Sequence, residues 1–180
     1  MEFLAGLHPL VVHFPIALLL VYALLETVGA LLKNNTFSNA AFILLIVGFV
    51  AAIAAMITGE QAQHLAENWN KSGLNNSATI PYNLIDEHKN WASVTIWYFL
   101  FILIIRTLFV INFVVKKKFG RYYNTARYIF AVLSIIGCFF IYETGGHGGE
   151  LVYKYGVGTE LIKPSTPVQK KNRIEIEKLE

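Results

Sequence analysis

Four long apolar runs dominate the chain: Leu10 to Leu32, Ala40 to Thr58, Trp91 to Val115, and Ala126 to Ile141, the last extendable to Thr144. Each approaches the ~20 residues that a tilted helix needs to cross ~30 Å of hydrocarbon. Composition agrees. Of 180 residues, 55% are hydrophobic and only 15% charged, with a mean hydropathy of +0.49, whereas a soluble domain carries roughly 25% charged residues. The expected fold is therefore all-α: a polytopic membrane protein built as a four-helix transmembrane bundle. Its helices are expected at about 9–32, 38–59, 90–116 and 124–144, with an outer loop over 60–89 and a polar tail over 163–180.

The connections order these helices. Runs one and two are separated by the seven residues Lys33 to Asn39, and runs three and four by Lys116-Lys117-Lys118-Phe119-Gly120-Arg121. Turns this short join antiparallel neighbours, which makes the bundle up-down-up-down. The long loop starts with an amphipathic extension of the second helix carrying Gln61, His64, Leu65 and Trp69. Basic residues gather at the two short turns, with Arg127 just inside the fourth helix, while at the other end Lys71, Lys89, Lys154 and Lys163 are diluted by Glu60, Glu67, Asp86 and Glu87. The bias of Lys and Arg toward cytoplasmic loops then puts both termini and the long loop on the non-cytoplasmic side. The first run is much longer than a signal-peptide core and lacks a basic segment before it, so it is expected to remain as a helix.

Several functions are disfavoured at once. The net charge of +3 comes from a few clusters rather than a basic face, so nothing points to nucleic acid. The single cysteine, Cys138, allows no internal disulfide, no cysteine-based zinc site and no covalent haem attachment. No P-loop, H-E-x-x-H or strand-borne G-x-G-x-x-G is present, and no nucleophile and base fall at a readable spacing.

What stands out is histidine. His8 and His13 lie at the start of the first helix, His64 just past the second, His88 at the start of the third and His147 just past the fourth. The topology gathers all five at one end. Interfacial imidazoles also cap helix ends or meet headgroups, which suffices for His64 in its polar stretch. His13, within Val11-Val12-His13-Phe14-Pro15-Ile16, would need a partner or a metal if buried there. His8 and His13 point ~140° apart on a regular helix, so they cannot both face one axis. Pro9 suits the first helical position, and Pro15 removes a further backbone bond, so an irregular start is expected.

Two other patterns bear on packing. Ala51, Ala55 and Gly59 form a row of small residues on the second helix, suited to close helix packing or to a flat cofactor. After the fourth run, Gly145-Gly146-His147-Gly148-Gly149 is expected to stop the helix and leave open backbone beside the imidazole. Glu26 and Arg106 lie ~9 Å and ~13 Å from the basic ends of the first and third helices, a depth at which they are expected to form a structural ion pair.

These residues resemble the DUF2231 family of small bacterial four-helix membrane proteins. The resemblance is carried by His8-Pro9-Leu10-Val11-Val12-His13-Phe14-Pro15-Ile16-Ala17-Leu18, by Thr58-Gly59, by His88, and by Gly148-Gly149-Glu150-Leu151-Val152-Tyr153 with Gly156-Val157-Gly158. Where the family pattern often has a histidine, this chain has Tyr155. What the resemblance implies is membrane topology.

The leading functional expectation is a b-type haem protein of a bacterial cytoplasmic membrane, an electron-transfer subunit whose outward-side histidines ligate the iron axially. Haem b needs two imidazoles facing across a slot, and His8, His13, His88 and His147 are the candidates. Lys89, Trp91, Tyr153 and Lys154 are candidates to meet its propionates. The alternatives are a copper, iron or zinc site on the same histidines, joined by Glu87, Glu143 or Glu150, and a cofactor-free anchoring or assembly subunit of a larger complex. The expected partners are lipid and redox proteins, and an accessory role is expected over that of a stand-alone enzyme.

Overall fold

The computed structural model describes residues 2–71, 81–112 and 123–157. The Lys116 to Arg121 turn, the polar part of the long loop and the tail lie outside the described residues. The described chain forms five helices: α1 (Glu2–Val11), α2 (His13–Leu31), α3 (Asn35–Lys71), α4 (Tyr82–Val110) and α5 (Tyr123–Tyr153). Four helical segments are long and apolar enough to cross a bilayer: Phe3–Leu31, which joins α1 to α2, Asn35–Asn68, Tyr82–Val110 and Tyr123–Tyr153. The protein is a multi-pass membrane protein, and its spans close into an antiparallel ring in which α2 packs on α3 and α5, while α4 packs on α5 and α3.

The break between α1 and α2 follows from Pro15. Proline has no N–H to donate to the Val11 carbonyl four residues back, and its ring crowds that carbonyl. Val12 keeps right-handed helical angles (φ −61°, ψ −25°) and its N–H still reaches the His8 carbonyl at 3.1 Å, so the chain kinks and continues. The helix starts at Glu2, earlier than the expected residue 9, and Pro9 lies inside α1 rather than at its first position. Packing of α1 on α3, which buries Ala5, offsets the bond that Pro9 cannot make.

The α2–α3 connection is tight. Lys33 takes φ 51°, Asn34 donates its N–H to Gly29 O at 3.0 Å and Lys33 donates to Ala30 O at 3.3 Å, which together close the carbonyl end of α2. Asn34 Oδ1 then accepts the N–H of Thr36 at 2.8 Å and caps α3.

Three further helix ends differ from expectation. α3 runs to Lys71 and α4 begins at Tyr82, so much of the outer loop is helical; Ala66, Ile85 and Leu151 pack there as a small apolar cluster beyond the main core. α5 runs straight through the four glycines to Tyr153 instead of stopping at residue 144. A glycine inside a helix costs ~1 kcal/mol relative to alanine, and contacts of the last turns with α4 offset part of this.

The main core joins Leu19 and Tyr22 of α2, Ala41, Leu45 and Phe49 of α3, Phe99 and Ile102 of α4, and Ile141 of α5. Helices approach closely where glycine leaves room. Leu19 sits against Gly48, and the Phe99 ring against Gly137, where an added Cβ would lie 2.7 Å from the ring. Leu24, Ile43, Val50, Trp97, Ile104 and Val132 face outward, the apolar surface a bilayer solvates.

Charges complete the packing. Arg106 Nη2 lies 3.2 Å from Glu26 and donates to both the hydroxyl and the carbonyl of Ser38, the latter at 3.2 Å. Arg127 Nη2 donates to Gly29 O at 3.0 Å, near the carbonyl end of α2 where the helix dipole favours a cation. One polar cluster thus ties α2, α3, α4 and α5 together. Removing one partner strands the other in the interior, so Glu26→Ala or Arg106→Ala should each destabilise the protein by about 3–5 kcal/mol. The double variant Glu26→Met/Arg106→Met should recover much of that loss in thermal unfolding followed in detergent.

Candidate functional site

At the opposite end from the Arg106 cluster, three helices carry one imidazole each into contact with a neighbour. His8 of α1 meets α3. Its Nδ1 lies 3.1 Å from Thr58 Oγ1, and Thr58 uses its own hydroxyl proton on Ala55 O at 3.0 Å. With the Thr58 proton on Ala55 O, the threonine oxygen accepts from His8 Nδ1–H and the His8 lone pair lies on Nε2. The ring lies against Gly59, where an added Cβ would come 2.9 Å from Cε1.

His88 of α4 repeats the arrangement on α5. Its Nδ1–H donates to Thr144 O at 3.0 Å, and the ring lies against Gly148, where a Cβ would come 3.0 Å from Cε1. The Thr144 hydroxyl donates to Phe140 O at 2.9 Å or shares a 2.8 Å bond with Thr95, whose hydroxyl also reaches Trp91 O at 2.8 Å. Again Nε2 is the free face. His8 and His88 lie within electrostatic range of one another, as do His88 and His147.

His147 is held differently. Its Nδ1–H donates to Glu143 O one turn back in α5 at 2.7 Å, its ring stacks on Trp91 at 6.3 Å, and its Nε2 lies 3.6 Å from Glu87 Oε2. This third imidazole faces a carboxylate on the solvent side, where the glutamate is 63% exposed.

The expected residues thus fall into two sets. His8, His88 and His147 are half-buried and hydrogen-bonded at one end of the bundle, while His13 and His64 are exposed. His13 lies among apolar residues and is expected to need a partner only if buried. In the structure the first span turns His8 inward and leaves His13 outward beside the exposed Phe14. Of the expected row of small residues, Gly59 takes the His8 ring, and Gly48, outside that row, takes Leu19. Lys154 is engaged with Glu150 at 2.9 Å, and Tyr153 is 93% exposed. Among the described residues, no group of three or more His, Cys, Asp or Glu side chains is arranged to hold a metal ion. Sequence reasoning missed Thr144 and Thr95 as part of the site; nothing in their spacing marks them, because their partners come from other helices. Gly148 was singled out, but as a helix stop rather than a seat for His88.

Gly145 has nothing within 4 Å of its would-be Cβ, whereas Gly148 abuts His88. Gly145→Ala should therefore raise stability by up to ~1 kcal/mol. Gly148→Leu should displace His88 from Thr144 and lower the melting temperature, and the His88 ring resonances of labelled protein should shift with it.

Comparison with known proteins adds the family and no chemistry. Neither curated proteins nor solved structures yield a match. The model of DUF2231, described as a predicted membrane protein, matches residues 5–161, a stretch that takes in all five histidines and all but the first two residues of the spanning segments, and the chain belongs to that family.

Proposed function

We propose that the protein is a b-type haem-binding electron-transfer subunit in which His8 and His88 supply the two axial imidazoles. The single observation carrying this reading is the common orientation of the two rings, each with Nδ1 against an oxygen of a neighbouring helix. Each donates Nδ1–H to an oxygen of its own helix pair, leaving Nε2 as an available lone pair. Metal-bound histidines are oriented in this way, with the other nitrogen fixed by a neighbouring oxygen. The rings come from different helix pairs, α1 on α3 and α4 on α5, and would hold the haem iron from separate elements.

A haem suits two imidazoles better than zinc does. The porphyrin fills four positions itself, whereas zinc takes three or four protein ligands, and no such group occurs among the described residues. Bound haem would supply a one-electron couple. The protein would hold the iron, set its ligand basicity through Thr58 and the Thr144 carbonyl, and shield it with α1 and the apolar cluster of Ala66, Ile85 and Leu151. His147 and Glu87 lie at the solvent edge of the same end.

The second reading is a cofactor-free anchoring or assembly subunit of a larger membrane complex. It is favoured by Gly48, Gly59 and Gly148, whose space is taken by side chains of neighbouring helices. For either reading we propose that the histidine end is non-cytoplasmic in a bacterial inner membrane, since Lys33 and Arg127 lie at the other end.

Protein purified in mild detergent after haem-supplemented expression should show a Soret band and dithionite-sensitive α and β bands. His8→Ala or His88→Ala should abolish the six-coordinate low-spin spectrum, whereas His13→Ala and His64→Ala should leave it unchanged. Colourless wild-type protein with no iron by elemental analysis selects the cofactor-free subunit.

A further inference from the structure

His147 and Glu87 face one another at the solvent edge without a hydrogen bond between them. A backbone carbonyl can only accept, so the 2.7 Å contact with Glu143 O places a proton of His147 on Nδ1. The neutral ring then turns the lone pair of Nε2 toward Glu87 Oε2, another acceptor, 3.6 Å away. That distance is too long for a hydrogen bond. Two acceptors so placed oppose each other unless a positive species lies between them, either a proton or a metal ion.

The separation suits a metal ion. Zinc binds imidazole nitrogen and carboxylate oxygen at about 2.0–2.1 Å, so two such ligands at a tetrahedral angle stand about 3.4 Å apart. Imidazole is a ligand that zinc, copper and nickel all accept, and zinc takes carboxylate beside it. Orientation agrees, because metal-binding imidazoles give their other N–H to an oxygen, as His147 does to Glu143. The ring is also backed by Trp91, which stacks on it at 6.3 Å and lies one turn after Glu87 on α4.

Position in the fold gives the pair a consequence. Glu87 immediately precedes His88, and His147 immediately precedes Gly148, against which the His88 ring lies. An ion held by both side chains ties α4 to α5 across the seat of His88.

We propose that His147 and Glu87 form an exchangeable site for a divalent transition-metal ion of the zinc class, which clips α4 to α5 at the solvent edge of the bundle. Water completes the coordination from the open side, where Glu87 is exposed. Two protein ligands set this site apart from structural and catalytic zinc centres, which take three or four. It uses neither His8 nor His88 and stands whether or not haem is bound.

Zinc titrated into metal-stripped full-length protein in detergent tests this without haem, so its outcome is separate from that of the haem reading. Wild type should bind one zinc per chain by calorimetry and melt at a higher temperature with zinc than without it. His147→Gln should lose both effects, and so should Glu87→Gln, at an exposed position where folding does not depend on the side chain. His8→Gln and the double variant His13→Gln/His64→Gln should keep both. Wild type that binds no zinc overturns the proposal and leaves the two residues an ion pair only. Zinc retained by Glu87→Gln overturns it too, since a lone imidazole then suffices, as does zinc lost by His8→Gln, which places the ion deeper in the bundle.

Discussion

A guanidinium cannot lie unpaired in hydrocarbon, and the position of Arg106 dictates much of the bundle. To reach both Glu26 and Ser38, α4 must face α2 and the first turns of α3 at one depth. Arg127, satisfied by a carbonyl at the end of α2, then holds α5 beside them. Apolar contacts alone would leave the rotation of each helix about its axis weakly specified, because lipid solvates Leu and Ile as well as a neighbouring helix does. The charged cluster sets the register at one end, and the core from Leu45 to Ile102 packs on that register.

The histidine end uses the complementary device. Here glycines rather than charges determine what fits. Gly59 and Gly148 leave room for an imidazole to lie flat against the neighbouring helix, and an oxygen on that helix fixes the tautomer. The resulting pair has a two-fold character that the amino-acid order conceals, one ring per helix pair, each turned so that the same nitrogen is available. Continuous helix through Gly145 to Gly149 serves this purpose. A stop at residue 144 would have withdrawn Gly148 from His88 and left His147 away from Trp91.

How much of this could be read beforehand depended on range. The spans, their antiparallel order and the gathering of histidines at one end follow from run length and turn length, which are local quantities. The irregular start of the first span followed from Pro15, but its beginning at Glu2 did not, because Pro9 is tolerated inside α1 only once α1 packs on α3. Glu26 and Arg106 were legible as a pair, since two charges at matching depth have few other options, while Ser38, supplied by a third helix, was not.

The sequence by itself determined that this chain crosses a membrane four times and that its imidazoles share one end, because hydrocarbon thickness and helix rise leave no other reading of such runs. Only the tertiary structure decided which imidazoles turn into the bundle. His8 and His13 are five residues apart in equally apolar surroundings, and nothing in the local pattern ranks them. The choice falls to the direction of the kink at Val12 and to the notch at Gly59, some fifty residues along the chain, which turns one ring into the bundle and leaves the other outside.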